Sequence, residues 1–334
     1  MKNKVTDTDY IKITAQIRSL ERSLLSNVRR EHMLEARSDE GALKVLLECG
    51  YGEMSASKPN DLGRALADGQ RKLFAFLESA APDPGLIDVF RIKYDYHNLK
   101  AFIKSEALSL DPTALMLDFG RVSPGPLVDM LRRDEIKRLP PKMGAAVWET
   151  RGALARAGDP RRSDMILDRV YFEEIREIAS ASQSSFLLGY VKLIVSITNI
   201  RTIVRASLIG LGSDFLREAL IPDDRMSAKD LIEIADSDSP LSEHYSDHLL
   251  EEAAEAGTHA TRGEISISDF ERQADNACIK YLKAAKLVAF GEQPLIAYIA
   301  AREADIVSIR IIMSGRRSGI PREQIRERLR ETYV

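Results

Sequence analysis

The sequence predicts an all-α protein, and three observations carry that expectation. Apolar residues recur at i, i+3/i+4 through most of the chain, which places them on one helix face. Only 6% of the 334 residues are aromatic, beside abundant Leu, Ile, Ala, Arg and Glu, a composition that favours helix over sheet. No sustained period-two alternation occurs, and no Asn-Gly or Asp-Gly hairpin signal sits between alternating runs.

The elements follow in order. From Asp9, residues Ile13, Ile17, Leu20, Leu24 and Val28 trace one amphipathic helix. Leu43–Leu47 and Leu62–Leu77 continue the pattern, with breaks at Gly50–Gly52 and Pro82–Gly85. The next helix runs from about Leu86 to Leu108 and ends before Asp111-Pro112, because the residue preceding a proline is pushed out of the helical region. Beyond the loop DFGRVSPGP, helices are expected over Leu127–Leu139, Met143–Ala157 and Arg161–Ser180, with Pro140-Pro141 between the first two. Phe186–Leu211 reads as a long buried helix. Pro294 lies near the start of another, Leu295–Ser314, where its missing N–H is harmless, and Gly315 is expected at C′ in the left-handed region. Pro321–Tyr333 completes the chain, with Ile325 and Leu329 one turn apart.

Composition excludes several function classes. With 48 basic and 51 acidic residues the net charge is −3, which gives no global nucleic-acid footprint. Cys49 and Cys278 are distant and lack CxxC spacing, which excludes a disulfide scaffold or zinc ribbon and suits a reducing compartment. The first 25 residues carry charges throughout, unlike a signal peptide. Lys192, Arg201 and Arg205 interrupt the most apolar stretch, and each would cost about 2.5–3.5 kcal/mol at mid-bilayer. Direct membrane insertion is therefore not expected.

The most informative feature is an internal repeat. Three long helices share the phrase small polar, aliphatic, basic, any residue, apolar, apolar. It reads Asn98-Leu-Lys100-Ala-Phe-Ile, Asn199-Ile-Arg201-Thr-Ile-Val and Ser308-Ile-Arg310-Ile-Ile-Met, at offsets of 101 and 109 residues. Three residues before the anchor stand Asp95, Ser196 and Asp305. The spacing implies three units of roughly 1–111, 112–222 and 223–334. A small amide or hydroxyl can satisfy a buried neighbour's backbone with little volume, so Asn98, Asn199 and Ser308 are expected to lock neighbouring helices together. Lys100, Arg201 and Arg310 can extend their stems over apolar surface to a charged rim.

Chemistry-bearing motifs are sparse. There is no GxxxxGK[ST] phosphate loop. Asp118-Phe-Gly120 spells the kinase metal motif without its companions, and Gly210-Leu-Gly212 fits a helix terminus. His244 and His248 stand four apart in SEHYSDH but lack the HExxH glutamate, and Asp223-Asp224 has too few companion carboxylates for a two-metal site. Charge is segregated instead. Asp223–Asp275 holds 15 acidic and 4 basic residues, whereas Asn276–Val334 holds 6 and 11. Complementary docking would use opposite signs for different partners, with Glu251, Glu252 and Glu255 on one surface and Arg316 and Arg317 on another.

Two segments carry a family resemblance: DVFRIKYDYHNLKAFIK over 88–104 and, above all, PLIAYIAAREADIVSIRIIMSGRRSGIPREQIRERLRETYV over 294–334. The sequence resembles the C subunit of the V-type/A-type ATP synthases, the prokaryotic counterpart of the d subunit of V-ATPases. That family opens its last segment on an EPLIAYL-like phrase and closes it on IRERL and a terminal YV. Glu-Gln-Pro294 and Gly315-Arg316-Arg317 are conservative departures from its commonest forms, and the middle third, through Asp168–Phe172 and Asn199–Arg201, follows it more loosely. The resemblance implies a non-catalytic rotor component without cofactor or metal. Its three similar helical units would surround a pseudo-threefold axis and form a funnel-like socket on the cytoplasmic side of the membrane proteolipid ring. The socket would receive the central shaft and transmit torque, with the isolated chain monomeric. The alternatives are an all-helical metal- or carboxylate-site enzyme near Asp223–His248, or an unrelated helical adaptor.

Overall fold

The computed structural model describes residues 5–334 apart from positions 59, 158, 159, 238 and 246, and among these it contains helices and no strand. The α-helices are α1 Ile11–Leu20, α2 Asn27–Glu35, α3 Asp39–Glu48, α4 Asp61–Ala80, α5 Gly85–Ala107, α6 Pro124–Arg132, α7 Pro141–Ala157, α8 Pro160–Ala181, α9 Ser185–Leu208, α10 Ser213–Ala219, α11 Ala228–Ala235, α12 His248–Thr261, α13 Ile267–Lys283, α14 Glu292–Arg317 and α15 Arg322–Glu327. The three that carry the repeat, α5, α9 and α14, have 23, 24 and 26 residues. At 1.5 Å per residue each spans about 35–39 Å.

These helices share one core along their N-terminal halves and pack into different clusters beyond it. The shared part is built from residues such as Leu86 and Phe90, Leu187 and Val191, and Leu295 and Ile299. Beyond that point their surroundings differ. The C-terminal half of α5 stays in this core beside Leu127, Val147 and Leu167 of α6, α7 and α8. The corresponding half of α9 joins a second cluster, with Leu231, Leu250 and Phe270 of α11, α12 and α13. For α14 it is a third cluster, with Met33, Leu43 and Ile325 of α2, α3 and α15. A helix buried on most sides in this way reads as apolar around its whole circumference, and α9 is long and apolar enough to cross a membrane by length and composition. Its apolar side chains here pack mainly against other helices. Trp148, by contrast, projects from α7 with 75% of its surface exposed.

Several expected boundaries move. The helix expected over Leu127–Leu139 ends at Arg132, and Asp134 beyond it takes φ +56°. Three others move for a tertiary reason. The helix traced from Ile13 to Val28 breaks at Leu24–Ser26, where Leu24 is extended and Ser26 Oγ caps α2. The Leu25 N–H leaves the helical ladder to donate to Asp305 Oδ2 of α14 at 2.8 Å, and both leucines are buried. Gly315 is not the C′ residue of α14. It lies inside the helix, where a Cβ would stand 2.7 Å from Ile325 Cγ1, and Gly319 takes the left-handed turn at φ +67°. The last helix ends at Glu327 rather than Tyr333, because the tail that follows is pinned to α13: Glu331 N–H donates to Asn276 Oδ1 at 2.7 Å.

Burial pushes the Asp305 carboxyl up to about 6, against an ordinary value of 3.8. The folded chain therefore holds this proton more tightly than the unfolded chain, and its stability contribution falls as pH rises from about 4 to about 6. Asp305→Asn keeps an oxygen for Leu25 N–H and removes the charge. Relative to the parent it should gain up to about 3 kcal/mol across that window. Urea unfolding followed by far-UV circular dichroism at several pH values checks the slope.

Candidate functional site

The repeat anchors are all fully buried, and each fastens a long helix to a non-adjacent stretch of chain. Asn98 Nδ2 on α5 donates to the Leu117 carbonyl and Asn98 Oδ1 accepts from the Leu117 N–H, both at 2.8 Å. Asn199 on α9 repeats the arrangement on Ile221, with both bonds at 2.9 Å. An amide does this because it carries a donor and an acceptor side by side, matching one backbone residue. Both partners lie on returning connections, not on a neighbouring helix as the sequence reading expected. On α14 the anchor is Ser308, whose Oγ accepts from Arg30 Nη2 of α2 at 2.9 Å.

The slots three residues earlier extend each fastening. Asp95 Oδ1 accepts from the Val122 N–H at 3.1 Å, and Asp95 Oδ2 from Arg121 Nε at 2.8 Å. Arg121 also binds Glu174 of α8 at 2.9 Å, and Tyr96 donates to the same carboxylate at 2.8 Å. Burial raises the Asp95 carboxyl above its ordinary range despite these donors. Ser196 Oγ donates to Asp223 Oδ2 at 2.6 Å, and Asp305 holds Leu25. The residues fastened are therefore 117–122 for α5, 221–223 for α9 and 25–30 for α14. The kinase-like triplet belongs to the first of these. Gly120 passes so close to α5 that a Cβ would stand 2.1 Å from Asp95 Oδ1, and the Phe119 and Gly120 carbonyls accept from Arg91.

Basic residues next to the anchors form ladders with the helix that lies across them. Lys100 and Lys104 of α5 pair with Asp168 and Asp164 of α8 at 2.5 and 2.8 Å. Arg201 and Arg205 of α9 pair with Glu271 of α13 at 2.8 and 2.6 Å, and Arg201 also pairs with Asp275. Sequence reading missed these acidic partners, although each pair is spaced four residues apart on one helix face. Arg310 is exposed on α14 and has no ion pair among the described residues.

The proposed docking charges fall on different lobes. Glu251, Glu252 and Glu255 lie on α12 with exposed or half-exposed side chains, and Glu252 pairs with Lys280. Arg317 is exposed at the end of α14. Arg316 departs from expectation: its guanidinium is largely buried and binds Asp39 together with the carbonyls of Met33, Leu34 and Ala36. It caps the C-terminal end of α2, where a cation meets the negative end of the helix dipole.

The remaining candidates have structural settings. His244 and His248 are exposed, and no cluster of three or more metal-ligating side chains occurs among the described residues. Asp224 pairs with Arg176 and Lys192 at 3.1 and 3.0 Å. Gly210 takes φ +70° after α9, the helix terminus expected of it. Burial pushes the Cys49 thiol up to about 11 and the Cys278 thiol up to about 12, so neither is a ready thiolate near neutral pH.

Comparison with known proteins agrees across nearly the whole chain. A model of the ATP synthase (C/AC39) subunit family matches residues 13–328. The C subunit of the V-type sodium ATPase of Enterococcus hirae is 24% identical over 332 residues, covering 97% of this chain and 99% of that protein. The C subunit of the A-type ATP synthase of Methanocaldococcus jannaschii is 22% identical, covering 96% and 86%. The C subunit of the V-type ATP synthase of Thermus thermophilus is 24% identical, covering 96% and 98%.

Removing an anchor amide deletes two hydrogen bonds and strands a backbone donor and acceptor. Asn199→Ala should cost about 2–4 kcal/mol, and Asn98→Ala less, because Leu117 is only partly buried whereas Ile221 is buried. Asn199→Asp should be no rescue, since it loses the donor and buries a charge. Urea midpoints read by circular dichroism test the order.

Proposed function

The chain belongs to the ATP synthase (C/AC39) subunit family, and on that premise we propose that it is a non-catalytic component of the central rotor of a V/A-type rotary ATPase. In this reading it links the central shaft to the membrane proteolipid ring and transmits torque between them. It lies on the cytoplasmic side of the membrane as a peripheral component, held by protein contacts rather than by insertion.

The observation that carries the reading is the set of fastenings on the three long helices. Each of α5 and α9 holds a segment that begins the next group of helices, and α14 holds the segment before α2. A cyclic order of this kind supports three units near 1–111, 112–222 and 223–334, arranged about a pseudo-threefold axis. The packing of their C-terminal halves into three separate clusters, beyond a shared core, is what a funnel-like socket would require. Torque transmission needs a stiff body with broad contacts, and helices locked by buried, paired polar groups supply stiffness. No chemical step is assigned to any residue of this chain.

Omission from a reconstituted complex tests the proposal. Without the chain, ATP hydrolysis by the head should persist while ion pumping is lost, and adding the chain back should restore pumping. Full coupling in a preparation verified to lack the chain would sink the reading.

A further inference from the structure

A groove of about 560 Å³ lies between the first turn of α13, the C-terminal half of α14, α15 and the chain's last residues. Four guanidinium groups border it, from Arg205, Arg310, Arg328 and Arg330, against the single carboxylate of Glu271. Its aliphatic lining comes from the exposed Ile267 and the half-buried Ile311 and Ile320, over the buried Ile325. Two of the arginines are already engaged: Arg205 pairs with Glu271, and Arg330 with Asp275. Arg310 and Arg328 are exposed and have no ion pair among the described residues. The groove is therefore a positively charged rim around an apolar bed.

The molecule itself displays what covers such a surface. On α5, the face carrying Lys100 and Lys104 is covered by α8, which supplies Asp168 and Asp164. On α9, the face carrying Arg201 and Arg205 is covered by α13, which supplies Asp275 and Glu271. In both, the cover is a helix with two carboxylates four residues apart, about one turn. Arg310 occupies the same place on α14 as Lys100 and Arg201 do on theirs, and there the corresponding carboxylates are missing among the described residues.

We propose that this groove docks a helix of another protein of the complex, one that presents two carboxylates a turn apart with an aliphatic residue beside them. The carboxylates meet Arg310 and Arg328, and the aliphatic side chain rests on Ile267, Ile311 and Ile320. The choice of an acidic helix over a lone small anion rests on the apolar floor and on the two internal covers. The inference depends on the chain being part of a rotary complex, and it adds which surface is used and the chemistry of what fills it.

The test measures binding of the purified full chain to a complex assembled without it, in low and high salt, for the parent and for the double variant Arg310→Glu/Arg328→Glu. Both side chains are exposed, and circular dichroism verifies that the variant folds. The expected result is about a tenfold loss of affinity for the variant at low salt, shrinking as salt screens the contact. A photo-reactive side chain introduced at Ser314, on the groove wall, should crosslink in the assembled complex to a helix with the stated carboxylate spacing. Lysines in place of those carboxylates should restore binding to the variant.

Three results would overturn the proposal. One is equal binding of parent and variant, which leaves the rotor assignment standing. Another is a crosslink to a segment without paired carboxylates. The last is protection of the groove by inorganic phosphate alone, with no crosslinked peptide. A parent chain that does not bind the complex at all overturns the rotor assignment and the groove together.

Discussion

Everything in this structure leans on a few buried polar side chains at matching points of three long helices. Asn98 and Asn199 each grip a single backbone residue by both its N–H and its carbonyl, in surroundings with little or no water to offer instead. A packed aliphatic interface alone tolerates sliding by a methylene or two, because dispersion contacts have little directional preference. An amide matched to one peptide group does not, since a shift of that size leaves four hydrogen-bonding groups stranded. These anchors thus fix register, while the leucines and isoleucines around them supply most of the favourable free energy.

The third joint is built from different chemistry. Ser308 and Asp305 of α14 grip the segment from Leu25 to Arg30 through a hydroxyl, a carboxylate and a guanidinium. Arg30 is buried as well, and desolvation lowers its pKa from the ordinary arginine value. Losing the Ser308 hydroxyl would leave the buried Arg30 guanidinium without that acceptor, which is costlier than losing a bond between neutral groups. The same segment is where the expected long first helix breaks. The break and the joint are one event, because Leu25 cannot serve both the helix ladder and Asp305.

Much of this is legible from residues alone. The helical class, the three long helices, the burial of Asn98, Asn199 and Ser308 and the half-burial of Lys100 and Arg201, though not of Arg310, follow from spacing, and so does the reading of Gly210 as a helix terminus. What escapes is long-range. Nothing near Leu117 or Ile221 in sequence marks them as the anchors' partners, because what they contribute is a peptide group, which every residue has. Arg316 reads as a surface charge because its role depends on the end of α2 being brought beside it, 280 residues away in sequence. Gly315 reads as a helix stop as long as the pressure of Ile325 against it is unknown. Asp164 with Asp168, and Glu271 with Asp275, are visible as four-residue spacings but acquire meaning only once α8 and α13 lie across their basic counterparts.

The exposure of Trp148 decides which optical signal will be informative. It is the single tryptophan of the chain, and 75% of it already meets solvent in the folded state. Its emission will therefore resemble that of the denatured chain, and intrinsic fluorescence will be a poor witness to loss of the core. That same indole becomes a clean reporter of anything that settles on α7, since a covering surface would shift its emission to the blue against no competing tryptophan background.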